Sequence, residues 1–197
     1  MVKFNEGMIG LHKMSNFDPS KERKDMSLKQ LCEQIEIGQI VLPVFQTYIR
    51  WTAGKMVELF NYQLLGKSSV APISMNSIDE PVHVVEQISF LDRTLLTKDS
   101  LQGRLSVVDG QQRLSANYKA YIDHKDIQNV VLDIRKGMFI ELKNSSSPKD
   151  FQIPIGKLYN KEHSIYLKYV NSNSFLKDDQ IKDLLNSVRK KMSNITM

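Results

Sequence analysis

Apolar positions in this chain recur at two spacings, and the switches between them mark out the elements. Leu28, Leu31, Cys32 and Ile35 fall three or four apart, as on one face of a helix. Ser27 and Gln30 stand at capping-box spacing in front of that stripe, and Gly38 is placed to stop it. Ile40-Val41-Leu42 is a short β-branched run ahead of Pro43 and reads as a strand. Thr52 is positioned to cap a second helix, whose stripe is Met56, Leu59, Phe60 and Leu64 and which ends at Gly66. Residues 70–75 and 82–88 read as two further strands, with 76–81 as turn material, and a short helix is expected over 90–96.

The pattern is sharpest in the middle of the chain. Leu105, Val107 and Val108 form an apolar run, Gly110 permits a sharp reversal, and Leu114, Tyr118, Tyr121 and Ile122 then follow helical spacing. The predicted unit is strand, one-glycine turn, helix. Beyond it, 129–134 and 138–142 read as a hairpin around Gly137, and 144–150 as a flexible loop. Pro154 begins a turn into Lys157-Leu158-Tyr159. Ile181, Leu184, Leu185 and Val188 predict a last amphipathic helix, with Arg189-Lys190-Lys191 in its final turn as the macrodipole favours.

The central unit carries the chemistry. It places Asp109 at the end of the strand and Gln111, Gln112 and Arg113 in the first turn of the helix. A helix N-terminus attracts anions, a guanidinium matches phosphate oxygens, and amides add neutral donors. Asp109 repels phosphate unless it holds a metal ion or orients a nucleophile. The plainer alternative is that Asp109 caps the helix and Arg113 pairs with an acidic neighbour on the surface. Glu86 and Asp92 are acidic residues that would complement Asp109, or are ordinary surface charge.

Asp109-Gly110-Gln111-Gln112-Arg113 resembles the DGQQR signature of the N-terminal domain of GmrSD-type modification-dependent restriction proteins, a domain similar to the ParB/sulfiredoxin superfamily. A second stretch, Ile40 to Trp51, is similar to that family's opening motif, in which a hydrophobic residue and proline precede Phe/Tyr-Gln-Arg and a tryptophan follows. Phe151 to Leu158 is a weaker third match. The usual Gln-Arg pair is Gln46-Thr47 here, and an arginine appears three residues later as Arg50. The resemblance implies a nucleoside triphosphate, with Mg²⁺ as its metal, seated on the Gly110–Gln112 backbone. It implies Asp109 and Arg113 as catalytic residues, with Asp109 on the metal or the attacking water, and Gln46 and Arg50 as contacts from the facing loop.

Composition narrows the setting without selecting the chemistry. The chain has 197 residues, 41% hydrophobic and 25% charged, an ordinary globular balance. A net charge of +5 allows contact with nucleic acid or nucleotide but is spread along the sequence. One cysteine, Cys32, leaves no internal disulfide; it lies on a predicted apolar helix face and reads as an inert core thiol. No apolar run reaches membrane-span length and no signal-peptide core opens the chain, so a cytoplasmic protein without a membrane partner is expected. The four histidines lack metal-ligand spacing, and neither a Walker phosphate loop nor a Rossmann fingerprint is present.

The expected fold is α+β, a ParB/sulfiredoxin-like small mixed sheet with flanking helices. Residues 1–26 read as a polar arm, 27–160 as the DGQQR domain, and 161–197 as a C-terminal helical segment. The family's HNH nuclease has no counterpart in residues 160–197, so a nuclease domain or subunit acting in trans is expected, the chain being an N-terminal piece or a short form. Three functions compete: an NTP-hydrolysing sensor of modified DNA, a ParB-like DNA-binding module without turnover, and a non-catalytic partner-binding remnant.

Overall fold

The computed structural model describes residues 6–7, 24–46, 48, 50–66, 72–143 and 146–196. Within them the chain is α+β, with six α-helices and two small sheets. Most of the expected arm over 1–26 lies outside these residues.

Capping sets the first helix. The Ser27 hydroxyl accepts from the Gln30 N–H while the Gln30 side chain accepts from the Ser27 N–H, opening α1 (Leu28–Glu36). Strand β1 (Ile40–Pro43) follows, and Thr52 caps α2 (Ala53–Leu64). Next come β2 (Ser74–Ser77), β3 (Gln87–Ile88) and β4 (Leu105–Asp109), leading directly into α3 (Gln111–Tyr121). These four strands form one mixed sheet in the order β2-β4-β1-β3. The central pair β1 and β4 is parallel, with Ile40 opposite Leu105, and both edge strands run antiparallel to their neighbours.

A second sheet is built from β5 (Val130–Asp133), β6 (Met138–Glu141) and β7 (Gln152–Pro154), all antiparallel, in the order β6-β5-β7. The hairpin turns through Gly137 at φ 66°, as its position predicts. The chain continues through α4 (Ile155–Leu158), α5 (His163–Asn171) and α6 (Asp179–Ser193). Asp178 caps α6 by accepting from Gln180 and Ile181. A large apolar core holds Phe60, Phe139, Ile153, Tyr166, Leu185 and Met192, so α2, the second sheet and the C-terminal helices share one interior. A smaller core with Leu31, Ile40, Leu42, Val107 and Leu114 lies under the mixed sheet. Helix α3 enters both, with Leu114 in the smaller and Ala116 and Ala120 in the larger.

The structure corrects four expectations. The strand expected over 82–88 shrinks to Gln87–Ile88. Pro81 instead opens a 3₁₀ turn, and Val82 and Val85 are 70% and 50% exposed, so no partner strand covers that run. The strand expected over 70–75 is Ser74–Ser77; Asn76 and Ser77, read as turn, pair with Ser106 and Leu105, while 70–71 lie outside the described residues. No helix forms over 90–96. The Ser89 N–H donates to Thr94 and the Leu96 N–H to Gln87, so the segment folds back across β3 and its donors are used there. Lastly, the hairpin and β7 form a sheet of their own rather than extending a single one.

Candidate functional site

The site begins with a turn that only glycine fits. Gly110 has φ 95° and ψ 5°, in the left-handed region, and a Cβ there would stand 2.3 Å from Cδ1 of Ile73. The reversal sets the N-terminus of α3 beside the end of β4. The Leu114 N–H donates to the Gly110 carbonyl at 3.0 Å, the start of the helical ladder, and the N-cap position is held by Gly110, which has no side chain to cap with. Asp109 is therefore not the cap that the plainer reading expected.

Arg113 does pair with an exposed acidic neighbour, as that reading also expected, and the neighbour is Asp109. Arg113 Nη2 lies 3.7 Å from Asp109 Oδ2, and the two side chains are 15% and 73% exposed. A pair this open to water adds about 0–1 kcal/mol, so stability does not account for it. The guanidinium is set into the wall and the carboxylate stands in solvent, free to turn toward a cation.

Two glutamines fasten the facing loop to this turn. Gln46 Nε2 donates to the Val108 carbonyl at 2.9 Å. Gln112 Oε1 accepts from the N–H groups of Arg50 and Trp51 at 3.0 and 3.4 Å, and its Nε2 donates to the Tyr48 carbonyl at 3.3 Å. Between loop and turn lies an open pocket of about 270 Å³, walled by Gln46 and Trp51 on one side and by Val108 to Arg113 on the other. The two motifs, about sixty residues apart in sequence, thus meet at one cavity.

Not every expected residue joins it. Asp109, Gly110, Gln111, Gln112, Arg113 and Gln46 border the pocket, with Gln111 only 5% exposed. The Arg50 side chain is exposed and outside the lining; only its backbone is tied in, through Gln112. Thr47 lies outside the described residues. Glu86 and Asp92 do not line the cavity. Trp51 does, and it also packs against the large core. Arg93 had no local signal at all: its Nη2 donates to the Gln46 carbonyl at 2.8 Å, and its guanidinium lies 4.5 Å from the centre of the Tyr48 ring.

Among the described residues no group of three or more His, Cys, Asp or Glu comes together. Mg²⁺ commonly binds one or two carboxylates together with substrate phosphates and water. The donor set here, a single exposed carboxylate beside a guanidinium and a helix N-terminus, fits a cation shared with a bound phosphate and not a protein-only cage. Elsewhere, Cys32 is fully buried, and burial pushes its thiol well above the ordinary range. Of the basic trio in α6, Arg189 donates to the Asn160 carbonyl at 2.8 Å and Lys191 to the Leu64 carbonyl at 2.6 Å, so both tie the helix end to its neighbours. Within the described residues no helix is long and apolar enough to cross a membrane. No protein-family model and no curated protein matches the chain.

Proposed function

We propose that this chain is a nucleoside triphosphate-binding and hydrolysing module of the GmrSD type, with a ParB/sulfiredoxin-like domain, serving a modification-dependent DNA restriction system through a nuclease acting in trans. One observation carries the reading. The Asp109–Arg113 turn and the Gln46–Trp51 loop, which separately resemble motifs of that family, form the two walls of one pocket.

In this reading the N-terminus of α3 and Arg113 hold the phosphates, and Arg113 neutralises charge that grows on the transferred phosphoryl group. Asp109 is exposed enough to reach a magnesium ion on the phosphates or to orient the attacking water. Bound there, the metal would polarise the phosphoryl oxygens. Gln112 contributes indirectly, because its amide holds the loop that closes the far wall.

The test is phosphate release by the purified chain with each of the four NTPs and Mg²⁺, with and without modified DNA, in the wild type and in Arg113→Ala. Removing one charge-stabilising donor from such a site lowers turnover by about 10²–10³-fold. The melting temperature of the variant is measured alongside, so that lost turnover in folded protein is told apart from unfolding. Wild-type turnover in the variant refutes the assignment. DNA affinity that falls steeply with salt and ignores NTP moves the chain to the class of binding modules without turnover.

A further inference from the structure

The pocket is small for a whole nucleotide. At about 270 Å³ it lies below the roughly 300–1,000 Å³ of sites that engulf drug-sized ligands. A nucleotide held by its phosphates against Arg113 therefore leaves its base at the rim. The loop that supplies Gln46 and Trp51 to the wall also carries an exposed ring, Tyr48, 74% accessible. The Tyr48 carbonyl accepts from Gln112 Nε2 at 3.3 Å, which ties its backbone to a residue of the pocket wall.

One face of that ring already has a partner. The Arg93 guanidinium sits 4.5 Å from the ring centre and is held there by its bond to the carbonyl of Gln46, itself part of the wall. The arrangement carries a conformational cost, since Arg93 has φ 54°, and its buried Nη1 has no hydrogen-bond partner. Residues in such backbone conformations concentrate at ligand sites, where the surrounding structure enforces them. A tyrosine backed by a guanidinium and otherwise open to water is a platform for a planar π-system. Base–aromatic stacking works for every base because each has a π-face, and a purine offers the larger ring system to cover the tyrosine.

We propose that Tyr48, backed by Arg93, stacks the base of a nucleotide whose phosphates occupy the Asp109–Arg113 pocket, giving a preference for purines without reading their hydrogen-bond pattern. The inference rests on the phosphate-binding reading above. It is tested by calorimetric titration of the full chain with ATP, CTP and inorganic tripolyphosphate in Mg²⁺, comparing wild type, Tyr48→Ala and Tyr48→Phe. The expected result is that Tyr48→Ala binds ATP about tenfold more weakly, loses less with CTP, keeps its tripolyphosphate affinity, and is rescued by Tyr48→Phe. Unchanged ATP affinity in Tyr48→Ala overturns the inference, as does an equal loss for ATP and tripolyphosphate. Wild type that binds tripolyphosphate as tightly as ATP overturns it while sparing the phosphate site. Wild type that binds none of the three ligands overturns both.

Discussion

The two sheets of this protein do opposite things with the same kind of material. In the three-stranded sheet every strand is short and its apolar side chains run into the large core with α2, α5 and α6. Its outer strand is also covered: Asn61 on α2 donates to the Phe139 carbonyl at 2.9 Å and accepts from the Phe139 N–H at 2.7 Å, as a neighbouring strand would. In the mixed sheet the strand ends are open. Val44 and Phe45 just beyond β1 and Val108 near the end of β4 are all substantially exposed, and side-chain amides join the loop and turn that follow. One half is closed by burial and the other is left unfinished around a cavity. The comparison separates a half held by its core from a half that carries the open pocket.

Substitutions can break or sharpen that contrast. The largest effect is expected from Phe60→Ala, because Phe60 is fully buried with its ring centre 5.6 Å from that of Phe139. The loss should be about 3–5 kcal/mol by urea unfolding, and any loss of ligand binding should vanish once the unfolded fraction is accounted for. Gly110→Ala comes next, costing about 2 kcal/mol from left-handed strain and the contact with Ile73. Unlike Phe60→Ala, it should abolish nucleotide binding even at temperatures where the chain stays folded.

Acid should act on the closed half. Burial raises the Asp133 carboxyl, but hydrogen bonds from Gln152 Nε2 at 2.8 Å and the Lys136 N–H at 3.0 Å outweigh it, and the net direction is downward. A carboxyl held low in the folded state stabilises it at neutral pH and loses that contribution as the medium is acidified through and below the ordinary carboxylate range. The urea-unfolding difference between wild type and Asp133→Asn should therefore be about 1.5 kcal/mol at neutral pH and shrink toward about pH 3. The smallest change in stability, about 1 kcal/mol or less, is expected for Gln112→Ala. Its readout is local: without that amide, trypsin should cut after Arg50 faster than in wild type while the melting curve barely moves.

What the sequence disclosed was what is decided locally. Ser27, Thr52 and Gly137 act within a few residues of themselves, and each does in the structure what its type and position predict. The strand–glycine–helix unit was legible for the same reason. The segment between Pro81 and Leu96 was not, because a β-branched run such as Val82-His83-Val84-Val85 becomes a strand only where a partner lies alongside, and only Gln87–Ile88 finds one. The site divides in the same way. Asp109 through Arg113 could be placed from their own neighbourhood, but the facing wall depends on Gln112 reaching Arg50 and Trp51 and on Arg93 reaching Gln46 and Tyr48. No spacing rule records contacts between segments so far apart.

Helix α3 begins at the cavity and ends in the interior, with Leu114 in one core and Ala116 and Ala120 in the other. The helix cannot unwind along its length without disturbing both. Occupancy of the cavity is thereby linked to the survival of the whole chain, and heat becomes an assay for the ligand. A compound present at about 100 times its dissociation constant should add roughly 2.7 kcal/mol to the unfolding free energy. The result would be one raised melting transition, not a protected fragment beside an unprotected one.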